Sequence, residues 1–496
     1  MTRERAVLLV LLLATAVGLG FQGSRSLWDP DEGRYSNVAH EMLDSGDWLI
    51  PHLDAERAHF SKPPLVYWLT AASLSIFGSS EWAVRLPNAL AFIATALLVF
   101  LTMRRLSPER ALAAAAIWAT MLLPVVAANI ASADMLLTCF EALAVYGFVA
   151  SGAVERSGAL MLVPRLLMWL GFGLAFATKG PPGLLPLAAI VIWSAWRWRG
   201  RGLPAIFHPA GLLVFAAIGL GWYLVVINRV PGLLDYFLHS EVVGRIGSSM
   251  HSRNPGWRGL AGAYGPVLLL GALPWTLLLL NRRWRQRDPA PSDPGRGRNV
   301  RTFLLAWLLI AFAVFAMAQS RLPLYLVPLT VPAAMLIASL FSLEFLRQRL
   351  FARIVLTTAV ALIVLKAVGA QATPKQDAEQ LAREIRAKID LRGVDELAFI
   401  NMTPSYGLRH YLGKEIEEVG DRKEARVGFS RPQSLCTELG EGERVLFLAR
   451  DRHLDSVIDK AAGCGLPLSQ VAAIRDLRLL RTMQPTTQNY PHAVSQ

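Results

Sequence analysis

Apolar runs of about 15–22 residues recur along the chain, at 5–22, 82–103, 110–128, 133–150, 165–178, 183–196, 206–228, 262–280, 302–318, 323–343 and 353–371. A helix rises 1.5 Å per residue, so each run crosses or nearly crosses a hydrocarbon core about 30 Å thick. The pattern predicts a mainly α polytopic membrane protein of about 11–13 transmembrane helices. The stretch 64–78, PLVYWLTAASLSIFG, is short and opens behind two prolines. It predicts a helix lying at the interface, with a span as the alternative. Beyond about residue 372 the pattern becomes that of a small α/β domain. A charged helix, DAEQLAREIRAKI, is followed by the apolar strands ELAFINM and RVLFLAR and then by the amphipathic QVAAIRDLRLLRTM. The chain thus divides into a transmembrane part, 1–371, with an outer loop at 23–63 carrying interfacial helices, and a soluble part, 372–496. No internal repeat is visible.

Composition agrees with this picture. Of 496 residues, 53% are hydrophobic and only 18% charged, too few charges to cover a water-soluble surface of this size. Arg3 and Arg5 precede the first run, as in a signal peptide. No small-x-small site closes it, however, and many spans follow, so a retained first helix is expected. The net charge of +13 does not point to nucleic acid, because most of the arginine sits in short connectors. With the N-terminus inside, alternation of spans places every Arg-rich connector (104–105, 197–202, 281–301 and 347–353) in the cytoplasm, as the positive-inside rule requires. The 23–63 loop, 129–135, 178–183, the 229–261 loop, 319–323 and the tail then face outward. The three cysteines form no metal-type cluster. Cys139 lies in an apolar run as a core thiol, whereas Cys436 and Cys464 share the tail and can pair if it is extracytoplasmic.

The outer face carries the candidate chemistry. Residues 1–365 contain just two lysines, Lys62 and Lys179, each ahead of a proline pair or Gly-Pro turn and neither in a cytoplasmic loop. Lysines at helix ends also snorkel, so each alone has a bland explanation. Around them the same face gathers Asp29, Asp31, Glu32, Arg34, Asp134, Glu241, Arg245, Arg253, Arg258 and Arg321. Asp134 opens an apolar helix that carries Glu141 two turns on; helix capping is the alternative role for it and for Asp29–Glu32. Together these residues describe a mixed-charge cleft where spans meet the interface. Charge at that depth is expensive unless paired or functional. Such a cleft suits cations gripping a phosphate while a carboxylate serves the partner at the reacting carbon.

In this order, DPDEGRY, FSKPPLVYW, RLPNAL, ADM, TKGPPG and SRLPLYLVP resemble bacterial membrane glycosyltransferases of the GT-C class. The nearest likeness is to the aminoarabinose transferases that modify lipid A, with protein O-mannosyltransferases more distant. It covers roughly 1–345. The resemblance implies a polyprenyl-phosphate sugar donor such as undecaprenyl phosphate and an acceptor, lipid A or another envelope molecule, at the periplasmic face of the inner membrane. It implies no nucleotide sugar. By position, Asp31 matches the acidic residue at the reacting centre, with Glu32, Arg34 and Tyr35 its neighbours. Asp134 matches the acidic residue opening the fourth span. The implied catalytic set is therefore Asp31, Glu32 and Asp134. The phosphate grips are Arg34, Lys62, Lys179 and Arg245, and the substrate contacts are Tyr35, Glu241 and Tyr325. Two departures stand out: Ser61 replaces the family's Glu, and Val242 replaces a His in YFLHSEVVGRI. Both remove a potential metal ligand or sugar contact, leaving a divalent metal and the identity of the sugar open. A protein O-mannosyltransferase differs by acceptor. A lipid-linked sugar transporter would place its charges near mid-span, in broken helices.

Overall fold

The structure is a computed structural model that describes residues 2–154, 161–199, 203–243, 253–285, 294–420, 429, 432–440 and 444–483. It opens with helices α1 (Arg3–Leu19), α2 (Asp31–Ser45), α3 (Leu65–Phe77), α4 (Glu81–Leu106), α5 (Ala111–Ala119), α6 (Leu122–Ala128), α7 (Ala133–Ala150), α8 (Leu162–Lys179) and α9 (Leu185–Arg197). Among the described residues, seven helical segments are long and apolar enough to cross a bilayer: α4, α7, α8, Pro209–Arg229, Gly297–Met317, Pro323–Leu340 and Arg349–Gly369. These correspond to seven of the expected spans and make the chain a multi-pass membrane protein. Arg349–Gly369 turns Leu356, Val360 and Val364, one stripe at helical spacing, outward with more than half of each exposed. That is a surface for lipid rather than water.

The other expected spans are modified by breakers. Run 110–128 becomes α5 and α6, bent by 59° at Thr120–Met121. Run 5–22 is α1, 17 residues long and ended at Gly20. Run 183–196 begins as a 3₁₀ turn, Pro181–Leu184, which leaves α9 only 13 residues. Run 262–280 stops at Gly271, and Pro274 precedes a second short helix, Trp275–Leu278. Helix α3 has 13 residues, or about 20 Å, too short to cross.

The tail forms a five-stranded sheet of β1 (Glu396–Ile400), β2 (Glu415–Val419), β3 (Val445–Arg450), β4 (Leu468–Ile474) and β5 (Leu477–Thr482), in the order β2-β1-β3-β5-β4. β1 lies parallel to both β2 and β3, so its residues are buried on both faces, as its unbroken apolar run requires. The amphipathic 470–483 stretch is mostly the β4–β5 hairpin, turning at Arg475 in the left-handed region (φ 54°). Cys436 and Cys464, 28 residues apart, form a disulfide. The sheet region is tied to the first outer loop. Asp29 N–H donates to Gln376 (2.9 Å), Ala378 N–H donates to Leu27 (3.1 Å), and Arg57 pairs with Glu418 (2.7 Å).

Candidate functional site

Helix α2 begins where the chain leaves α1 and meets Pro30, and its first turn carries Asp31 and Glu32, charges that the helix N-terminus favours. Helical spacing then sends the two carboxylates different ways. Asp31 pairs with Arg34 three residues on (2.6 Å) and stays 46% exposed. Glu32 points inward and is 2% exposed. Its Oε1 accepts from Arg85 Nε (2.7 Å) and Ala131 N–H (3.1 Å), and its Oε2 from Arg85 Nη2 (3.0 Å) and Trp28 N–H (3.1 Å), with Arg25 at 2.8 Å. Burial works to raise this carboxyl's pKa, but Arg85 and Arg25 overcome it and hold the group at about 2.

The expectation of a catalytic role for Glu32 falls on a buried side chain whose two oxygens both accept from protein donors. Both of its oxygens are fully engaged inside the protein, so none is left to face a substrate. It joins α2 to Arg85 on α4 and to Ala131, three residues ahead of Asp134, and so fixes Asp31 relative to Asp134.

Asp134 enters at the first turn of α7, behind the cap residue Ser132. Asn88 on α4 donates to the Ile130 and Ser132 carbonyls and holds the approach. Lys179 is the last residue of α8, a favourable place for a cation, and Gly180 (φ 72°) turns the chain away after it. Helices α7 and α8 run past each other in close contact: a Cβ on Gly171 would fall 2.5 Å from the Ala144 nitrogen. Only glycine there allows this crossing, and the crossing lays the start of α7 beside the end of α8. Lys179 Nζ consequently pairs with Asp134 and lies 4.2 Å from the ring centroid of Tyr325, in the 3₁₀ segment Pro323–Leu329.

Asp31, Arg34 and Asp134 all act electrostatically on Tyr35. It is buried, and its ring lies 5.5 Å from that of Tyr67. Burial, then Tyr67, with Asp134 and Asp31 adding and Arg34 opposing, pushes its phenol well above the ordinary value. Burial disfavours the Arg34 charge, while Asp31 and the phenols of Tyr35, Tyr67 and Tyr406 more than offset it. Lys62 lies one step out. Its ammonium donates to the Ser61 carbonyl (2.9 Å), the Ser61 hydroxyl bonds the His59 ring (2.7 Å), and that ring sits 6.2 Å from Tyr67.

Asp31, Arg34, Tyr35, Asp134, Lys179 and Tyr325 are therefore brought together, with Lys62 at the margin. Arg245 and the side chain of Glu241 lie outside the described residues. Arg321 is spent on structure, donating to the carbonyls of Asn254, Gly256 and Ala316. Among the described residues, the one group of three carboxylates spaced for a metal ion is Glu396, Glu417 and Glu438, in the sheet region rather than beside Asp31. Sequence reading missed Arg85, Asn88 and Arg25. The signal for Arg85 and Asn88 was there in RLPNAL, an arginine and an asparagine inside an otherwise apolar helix.

Residues 61–222 match the family described as Dolichyl-phosphate-mannose-protein mannosyltransferase. The Undecaprenyl phosphate-alpha-4-amino-4-deoxy-L-arabinose arabinosyl transferase of Erwinia tasmaniensis is 33% identical over 322 residues, 63% of this chain and 55% of that protein. The protein of the same name from Edwardsiella ictaluri is 34% identical over 325 residues, again 63% and 55%. The chain thus spans little more than half the length of these curated relatives. The crystal structure of ArnT from Cupriavidus metallidurans bound to undecaprenyl phosphate superposes with a TM-score of 0.73 at 21% identity, covering 97% of this chain and 98% of that one. The same protein in its apo state gives 0.72. The chain is a relative of the aminoarabinose transferases, and it has the GT-C fold that the sequence resemblance implied.

Proposed function

We propose that the protein is an inner-membrane glycosyltransferase that moves one sugar from undecaprenyl phosphate to lipid A or a related envelope acceptor on the periplasmic side. The observation that carries this reading is the meeting of the exposed Asp31–Arg34 pair with the Asp134–Lys179 pair around Tyr35. The relatives' names and the undecaprenyl phosphate bound to the Cupriavidus enzyme support it. The periplasmic assignment draws on the Arg-rich connectors and on the Cys436–Cys464 disulfide, a bond that persists in oxidising compartments.

In this reading Lys179, Arg34 and Lys62 grip the carrier phosphate, with Arg245 added on the sequence resemblance. Their charge lowers the cost of its departure from the anomeric carbon. Asp134 aims the Lys179 ammonium. A phosphate acceptor attacks as it stands, whereas a hydroxyl acceptor gives its proton to Asp31, which is exposed and, among the described residues, pairs with Arg34 alone. Tyr35, Tyr325 and Glu241 line the sugar. The C-terminal residues from 372 act as a soluble periplasmic domain. A second reading, transfer to periplasmic protein, is favoured by the mannosyltransferase family match over 61–222. Ser61 and Val242, where the resemblance expects Glu and His, leave the identity of the sugar open.

Mass spectrometry of lipid A from cells with and without the gene tests this, with complementation by wild type, Lys62→Ala and Asp31→Asn. A sugar-sized mass restored by wild type and by neither variant supports both reaction and site, and its value names the sugar. Unchanged lipid A with altered periplasmic glycoproteins supports the second reading.

A further inference from the structure

Besides the backbone bonds at Leu27 and Asp29, the sheet region meets α2 through a short helix, Leu408–Leu412, and the turn ahead of it. At the N-terminal end of α2, the Asp29 carboxylate accepts from the Ser405 hydroxyl and from Gly407 N–H (3.1 Å). The backbones touch there: a Cβ on Gly33 would stand 2.4 Å from the Gly407 nitrogen. At the C-terminal end, Arg409 spreads its guanidinium over Glu41 (2.6 Å) and Asp44 (2.7 Å). Its side chain is 10% exposed and that of Glu41 9%, so water does little to weaken that bond. Helix α2 is thus held at both ends by the sheet region, and Asp31, Arg34 and Tyr35 lie between the two holds.

The opposite side of α2 is anchored independently, through Glu32 and Arg85. Loss of the sheet-side contacts leaves α2 attached through that anchor and its packing on α3, with less to fix its tilt. A tilt moves the exposed Asp31 relative to Asp134, and misplacement of about 1 Å can cost roughly 10²-fold in rate.

We propose that Arg409 is a positioning residue for transfer, setting the pose of α2 and hence of Asp31 from outside the membrane site. This rests on the glycosyltransferase reading above. The soluble region is then a working part of the active site rather than a cover.

The test is steady-state transfer by the purified full chain in lipid nanodiscs, with an undecaprenyl-phosphate sugar donor and lipid A acceptor, alongside thermal unfolding. Wild type without transfer to any acceptor removes the glycosyltransferase reading itself. With wild type active, Arg409→Ala is expected to lower kcat about 10- to 100-fold, with donor KM within about twofold and the unfolding midpoint lowered by no more than about 5 °C, so that the variant is fully folded at the assay temperature. Arg409→Lys recovers part of the loss. Glu41→Ala combined with Arg409→Ala costs no more than Arg409→Ala alone, because both act through one contact. Unchanged kcat in Arg409→Ala, or losses that simply multiply in the double variant, overturns the proposal. If Arg409→Ala does not fold, Ser405→Ala removes a single hydroxyl from the other hold, and wild-type kcat in that variant overturns it equally.

Discussion

Replacing Glu32 by Gln separates a structural carboxylate from a catalytic one. The substitution keeps the shape of the side chain and removes the charge that faces Arg25 and Arg85. The carboxyl is held at about 2 against an ordinary 4.5, a difference that corresponds to about 3 kcal/mol. Breaking a buried ion pair from one side costs a similar roughly 3–5 kcal/mol, since the guanidiniums are left uncompensated. With about 2.1 cal/mol/K of unfolding entropy per residue, 496 residues turn that loss into a drop of about 3 °C in the midpoint at pH 7. The pH dependence has a definite sign. A carboxyl whose folded pKa is lowered contributes fully above 4.5 and loses its contribution as pH falls towards 2. The gap between wild type and Glu32→Gln, followed by tryptophan fluorescence in detergent, is therefore full at pH 7, narrows below pH 4.5 and closes near pH 2. Turnover of the folded variant falls less than about 10-fold, whereas removal of a general acid or base costs 10²–10⁴. An unchanged midpoint at pH 7, or a gap indifferent to pH, would refute the ion-pair argument. An unchanged midpoint with turnover down 10³-fold would return Glu32 to the catalytic set.

Other consequences are open to direct measurement. Burial raises the Asp29 carboxyl to about 6 against the hydrogen bonds from Ser405 and Gly407. Its favourable contribution is present below about 4 and is lost as pH rises through 6. Asp29→Asn keeps an acceptor and removes the buried charge, so its unfolding midpoint should exceed wild type at pH 8 and match it or fall below it at pH 4. Lys179→Ala removes the partner of Asp134 and, in the proposed reading, a phosphate grip; it should lower kcat about 10²–10³-fold, with Lys179→Arg recovering part of it in the same transfer assay. The Cys436–Cys464 bond closes a loop of 28 residues, so reducing it should destabilise the sheet region by about 3–4 kcal/mol in denaturant unfolding. Cysteine-to-serine exchange at both positions should do the same.

Much of this protein was readable from its sequence, because the signals concerned are local. An apolar run long enough for a bilayer announces a span wherever it packs, and the seven that qualify do so on length and composition alone. Lys62 and Lys179 stood out because residues 1–365 otherwise use arginine, and Asp31 and Asp134 because they open helices at span ends. Which charge meets which was not readable. Asp31 and Glu32 are neighbours of identical chemistry, and only the packing of α4, 53 residues away, takes Glu32 inside and leaves Asp31 in the cleft. Lys179 finds Asp134 because Gly171 lets two helices touch, and Arg409 finds Glu41 across 368 residues. Breaks within the spans followed the same division. Prolines and glycines marked where helices can stop, and the surrounding contacts decided which ones did. A run of residues determines what its own backbone and solvent preference allow, whereas the partner of a buried charge is set by whichever distant element close packing brings against it.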